Sequence, residues 1–106
     1  MKYLTAFLLL FAFAGPFRIA AQSVSELENK FNRSGSKSER MNLAYQIAEK
    51  TIASSPKKAS DFANRSSQLA TEIGDKRREA DAAFLSADAE YRLRNYKEAT
   101  NRFMHS

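Results

Sequence analysis

The fold of this chain is decided by residues 54–75, which read SSPKKASDFANRSSQLATEIGD. Proline costs no hydrogen bond in the first turn of a helix and a preceding serine can cap the free amides, so a helix is predicted to begin at Pro56. Gly74 suits the left-handed end of that helix. The small and apolar residues between them share one face: Ala59, Phe62, Ala63, Ser66, Leu69, Ala70 and Ile73. We expect Phe62 and Ala63 to be buried at the centre of this face.

Two more helices are predicted before this segment. A short helix over 22–33 and a longer one over 38–53 are separated by the polar, glycine-containing stretch 34–37. Serines followed by glutamate three residues later, the spacing of a capping box, are Ser23, Ser25 and Ser36. The apolar positions of the longer helix are Met41, Leu43, Ala44, Ile47, Ala48 and Ile52, and those of the short helix are Leu27 and Phe31.

The residues after 75 predict a helix over 76–93 that is apolar on two sides. One stripe comprises Ala80, Ala83, Phe84, Ala87 and Tyr91, and the other comprises Ala82, Leu85, Ala89 and Leu93. A helix with two apolar sides is expected to have two neighbours. A break is predicted at Arg94 and Asn95, followed by a fifth helix that starts near Tyr96 and points Ala99 and Phe103 inward.

A common pattern links the third and fifth predicted helices. Residues 56–63 and 95–103 both place alanine ahead of an aromatic residue, and the two alanines, Ala59 and Ala99, are 40 positions apart. Recurrence of a helical unit at a fixed period is the signature of repeat architectures. Each unit exposes an apolar stripe that it cannot bury alone, so such units stack and present a surface to other proteins.

These residues resemble the tetratricopeptide repeat family, in its longer variant. Residues 95–99 with Phe103 are similar to the start of the family's second helix, and residues 56–76 are similar to the same helix one repeat earlier. The resemblance implies an all-α fold of antiparallel helical hairpins, a tetratricopeptide-like α-solenoid with about two partial repeats. It covers residues 38–106 and departs from the family in the helix that carries Ala83 and Ala87, where the aromatic and Leu-Gly positions differ.

The resulting organisation has four parts: 1–21 a signal peptide, 22–37 a short capping helix and linker, 38–75 a degenerate first repeat, and 76–106 a second repeat truncated in its second helix. Residues 4–14 form an apolar run broken only by Thr5, shorter than the roughly 20 apolar residues of a membrane span. Ala20 and Ala21 then suit cleavage after position 21, and retention as an anchor is the alternative. We therefore expect export to the periplasm, or attachment to the membrane facing it.

Composition argues against nucleic acid as a partner. Removing residues 1–21 takes Lys2 and Arg18 away, so 17 basic residues become 15 against 12 acidic ones, and the net charge falls from +5 to +3. Basic and acidic residues alternate along 57–81, which is typical of solvated helix faces rather than of a phosphate-binding stripe. The expected partners are a protein, a peptide or neighbouring domains of the same chain, with membrane contact only through an uncleaved signal or a downstream anchor.

No catalytic, cofactor or metal site is predicted. The chain has no cysteine and one histidine, His105, so a metal cluster or a histidine-based triad lacks further members. The family register instead implies a partner-binding surface on the helix after position 76, formed by Asp81, Phe84, Asp88, Tyr91 and Arg92. The alternative, which the sequence favours, is that Phe84 and Tyr91 fill the core between helices.

The sequence thus predicts an exported, non-catalytic protein-interaction or sensory segment, the N-terminal part of a longer protein. Signal peptide, capping helix and degenerate first unit are similar to the exported repeat region of bacterial two-component sensor histidine kinases. The alternative function is therefore the periplasmic sensor input of such a kinase, with its catalytic regions beyond Ser106. Similar arrays also precede helix-turn-helix regulators.

Overall fold

The computed structural model describes residues 23–105, without the side chains of Phe103 and His105. These residues form four helices and no strand: α1 Val24–Arg33, α2 Lys37–Thr51, α3 Pro56–Ile73 and α4 Lys76–His105. The all-α prediction is confirmed. The predicted signal peptide over 1–21 lies outside the described residues, and within 23–105 no helix is long and apolar enough to cross a membrane.

Serine caps begin the first two helices, as their capping-box spacing predicts. The Ser23 side chain accepts a hydrogen bond from the Glu26 amide at 3.2 Å, and Ser36 accepts one from the Glu39 amide at the same distance. Each bond satisfies one of the amides that the first turn of a helix leaves without a partner. Ser23, rather than Ser25, is therefore the cap of α1.

The ends of α3 follow from its proline and its glycine. Pro56 occupies the first turn, but Ser55 makes no capping bond through its side chain, so that part of the prediction is wrong. Gly74 adopts the left-handed conformation with φ 79°, where a Cβ would add strain. The next residue, Asp75, accepts a hydrogen bond from the Arg78 amide at 3.0 Å. One glycine and one aspartate thus end α3 and start α4 within two residues.

The helices pack as an array in which α2 and α3 run antiparallel. Lys37 at the start of α2 lies 3.4 Å from Glu72 near the end of α3, while the Ser66 hydroxyl donates to the Met41 carbonyl at 2.9 Å. Helix α4 returns along α3, where the Ser86 hydroxyl donates to the Asn64 side chain at 2.7 Å.

Contacts also join helices that are not consecutive. Lys58 of α3 is 3.0 Å from Glu28 of α1, and the guanidinium of Arg78 in α4 stacks on Tyr45 of α2 at 4.2 Å from the ring centre. Helix α1 therefore touches α3, and α2 touches α4. Helices α1 and α2 thus each contact the next helix and the one after it.

The core lies where α1, α2 and α3 meet. The rings of Phe31 and Phe62 contact edge to face, with centroids 5.6 Å apart, and both side chains are buried. Alanine dominates the rest of the core, so helix backbones approach closely. Other buried members are Leu27, Leu43, Ala44, Ile47, Ala48, Ala59, Ala63 and Ala89. The prediction that Phe62 and Ala63 are buried is confirmed.

The break predicted at Arg94 and Asn95 is absent, because α4 continues for 30 residues from Lys76 to His105. Neither residue is a strong helix breaker, and the flanking leucine, tyrosine, lysine and glutamate are compatible with a helix. The separate fifth helix, and with it the hairpin predicted within 76–106, is therefore wrong. The side chains from Arg94 to Arg102 are exposed.

Replacing Phe62 by alanine should strongly destabilise the fold. The substitution removes a buried aromatic ring and its contact with Phe31, so we expect a loss of about 3 to 5 kcal/mol in the free energy of unfolding. Denaturant unfolding followed by circular dichroism measures it. Tyr96→Ala is the matched control, since Tyr96 is 59% exposed and should change stability by less than about 0.5 kcal/mol. Equal losses in both variants would contradict the assignment of the core.

Candidate partner-binding face

Helix α4 buries only one of its two apolar stripes. Ala82, Ser86 and Ala89 are buried against the rest of the protein, and Leu85 and Leu93 are half-buried on the same side. The other stripe is exposed along its whole length: Ala80, Ala83, Phe84, Ala87 and Tyr91. The expectation that α4 has helical neighbours on both sides is therefore not met within residues 23–105.

The exposed stripe faces directly away from the core. Ala80, Phe84 and Ala87 each stand two positions before a buried residue, and two residues turn an α-helix by about 200°. Ala80, Phe84, Ala87 and Tyr91 also follow one another at intervals of four, three and four. This alternation is the spacing at which one helix packs along another. We call these four residues the α4 seam.

The structure brings the five predicted surface residues together on one side of α4. Phe84 and Tyr91 are 76% and 64% exposed, Asp81 and Arg92 are exposed, and Asp88 is half-buried. The favoured alternative, that the two aromatic residues fill the core, is wrong. The sequence could not decide which stripe of α4 is buried, because both stripes have helical spacing and both contain alanines and larger apolar residues.

One edge of the seam is acidic. Asp81 and Asp88 stand seven positions apart, so they lie along the same edge two turns from each other. Asp88 is 3.4 Å from the Arg92 Nε, an exposed pair within one helix, which contributes little to stability. Asp81 forms no ion pair among the described residues. The face thus combines two aromatic side chains, small alanines that permit close approach, and a carboxylate edge.

Beyond Leu93, α4 extends past the part that α3 covers. Leu93 and Tyr96 line a shallow, open groove of about 310 Å³ with Lys97, Thr100 and Asn101. Tyr96 lies on the same side of α4 as the buried residues Ala82 and Ala89, but its own side chain is 59% exposed. This groove therefore adjoins the core side of α4 and not the seam.

Among residues 23–105, no three histidine, cysteine, aspartate or glutamate side chains are grouped so that they could hold a metal ion. The only histidine, His105, has a side chain outside the described part of the structure.

Sequence reasoning missed a second polar cluster, on the opposite part of the molecule. Arg40 of α2 and Arg65 of α3 both stack on Phe31, at 4.5 and 5.8 Å from its ring centre. They are 25 residues apart in the chain, and each stands beside a buried residue of its own helix. No local pattern connects them, so only the folded arrangement reveals the cluster.

Comparisons with protein-family models, with curated proteins and with solved structures found no match for this chain.

Proposed function

We propose that this chain is a tetratricopeptide-like protein-interaction segment whose α4 seam, with Asp81, Asp88 and Arg92 beside it, binds another protein. The observation that carries the proposal is the exposure of Phe84 and Tyr91 on a helix side with helix-packing spacing. Large aromatic side chains are frequent anchors of protein interfaces. Exposed apolar side chains that lie contiguously, rather than singly, mark interaction sites.

The partner that fits this face is a protein or peptide segment with an apolar side and a basic edge. An amphipathic helix places residues at intervals of three and four against the seam, where the alanines allow its backbone to approach closely. Lysine or arginine along its edge then meets Asp81 and Asp88. Complementary charge of this kind sets the orientation of the partner and speeds encounter more than it adds affinity.

The tetratricopeptide-like arrangement is supported by the order of contacts. Helix α3 packs antiparallel to both α2 and α4, and contacts between α1 and α3 and between α2 and α4 follow the progression of an α-solenoid. In such arrays each unit contacts only its neighbours, and the last helix of a stack offers its free side to whatever comes next. Among the helices of residues 23–105, the α4 seam is such a free side.

Export is part of the proposal and rests on the sequence of residues 1–21. A periplasmic or membrane-facing location is compatible with a chain that contains no cysteine. In that location the binding of a partner to the α4 seam provides a sensory input without any chemistry in this segment.

A basic amphipathic peptide should bind the full chain through the seam. The probe is a synthetic helix-forming peptide with apolar residues at intervals of three and four and lysines along one edge, and fluorescence anisotropy measures its affinity. We expect Phe84→Ser and Tyr91→Ser each to weaken binding about tenfold or more, because each removes an aromatic anchor. Both variants should keep the unfolding free energy of the wild type within about 0.5 kcal/mol.

Two controls distinguish binding at the α4 seam from non-specific hydrophobic binding. Met104→Ser removes an equally exposed apolar side chain from another part of α4, and Met104 is 78% exposed, so this variant should bind like the wild type. The same peptide with glutamate in place of lysine should bind more weakly to the acidic edge. Undiminished binding by Phe84→Ser and Tyr91→Ser would contradict the proposed face.

Export is tested by the mass of the mature product. If residues 1–21 are removed, mass spectrometry of the chain recovered from the periplasm should find Gln22 at its amino terminus. Recovery of a membrane-bound chain that still begins with Met1 would establish the anchor alternative, and recovery from the cytoplasm alone would contradict export.

A further inference from the structure

A cleft on the side of α2 and α3 that faces α1 has the character of an anion site. It is open to solvent and measures about 200 Å³. Its lining residues come from three helices and are Phe31, Arg40, Arg65, Gln68, Leu69 and Glu72. The aromatic ring and the leucine give it an apolar wall, while two guanidinium groups and an amide supply hydrogen-bond donors.

The two arginines are held by stacking and not by ion pairs. Arg40 lies 4.5 Å from the centre of the Phe31 ring, and Arg65 lies 5.8 Å from Phe31 and 5.0 Å from Phe62. Within residues 23–105 neither guanidinium has a carboxylate within 4.0 Å. Stacking occupies the face of a guanidinium group and leaves the donors along its edge free.

One of these donors is buried without a partner. The Arg40 Nε is excluded from solvent and has no hydrogen-bond acceptor among the described residues. An atom with no exposed surface cannot contact an anion in a cleft that is open to solvent, so the donors that Arg40 offers there are its Nη groups, which are not shut off in this way. Arg40 as a whole is half-buried, so the rest of its side chain is held in the wall of the cleft.

The only acidic side chain of the cleft is already engaged. Glu72 lies 3.4 Å from the Lys37 Nζ, so its charge is offset by that ammonium group. The two arginines therefore leave the cleft with an excess of positive charge. Each guanidinium group presents a planar array of hydrogen-bond donors, and this array matches the paired oxygens of a carboxylate or a phosphate.

We propose that this cleft binds a small oxyanion, a phosphate or carboxylate group, between Arg40 and Arg65, with the side-chain amide of Gln68 as a further donor. An apolar portion of the ligand next to the oxyanion rests against Phe31 and Leu69. The site is separate from the α4 seam, so the two proposals stand or fall independently.

Nuclear magnetic resonance titration of the full chain with inorganic phosphate tests the site. The Nε–H signals of Arg40 and Arg65 should shift together and saturate, while that of Arg92 on α4 should not follow the same curve. Sodium chloride at equal ionic strength should produce no saturable shift. A parallel titration with acetate shows whether the planar or the tetrahedral oxyanion binds more tightly.

Two variants of one residue locate the anion. Arg65→Gln removes the charge and should weaken phosphate binding about tenfold, whereas Arg65→Lys keeps the charge and should weaken it less because the planar fork is lost. If Arg65→Gln does not fold, Arg65→Lys still tests the site, because it keeps a positive charge beside the rings of Phe31 and Phe62. Arg92→Gln is the matched control and should bind like the wild type. Phosphate shifts that do not saturate, or equal affinity in the wild type and the Arg65 variants, would overturn the proposal.

Discussion

The edge-to-face contact of Phe31 and Phe62 is the interaction on which the rest of the structure depends. The two rings are 80° apart in orientation, and both side chains are buried. Because α1 has only 10 residues, it is too short to be stable alone and stays folded through this contact and Leu27. The same rings support Arg40 and Arg65, so the fold of α1 and the proposed oxyanion cleft depend on one cluster.

Buried alanines determine how closely the remaining helices pack. Ala44, Ala48, Ala59 and Ala63 are fully buried between α2 and α3, which allows the two backbones to approach closely. Helix α4 meets the rest of the protein through Ala82, Ser86 and Ala89, with Leu85 half-buried beside them, while its aromatic side chains Phe84 and Tyr91 face outward. These two rings are the largest apolar groups that α4 leaves available for a partner, and their exposure is the physical basis of the proposed function.

Local signals in the sequence predicted most of the helical structure, because caps, proline and glycine act within a few residues. Ser36, Pro56 and Gly74 each set a helix boundary close to where it was expected. The helix break expected at Arg94 and Asn95 was wrong, because asparagine inside a helix costs only a few tenths of a kcal/mol. Several other residues that helices tolerate cost about as much. Which stripe of α4 is buried, and that Arg40 meets Arg65, depend on contacts between helices, and no single helix encodes them.

Hydrogen exchange on the full chain tests most directly the claim that a core of α1, α2, α3 and the first part of α4 carries the stability. Amides of residues 59–73, which lie against this core, should exchange orders of magnitude more slowly than those of 96–105, where the helix extends beyond its neighbours. Amides of 82–89 should resemble the first group, since one side of α4 is buried there. Equal protection in 59–73 and 96–105 would contradict the account, because it requires the end of α4 to be packed as firmly as the core.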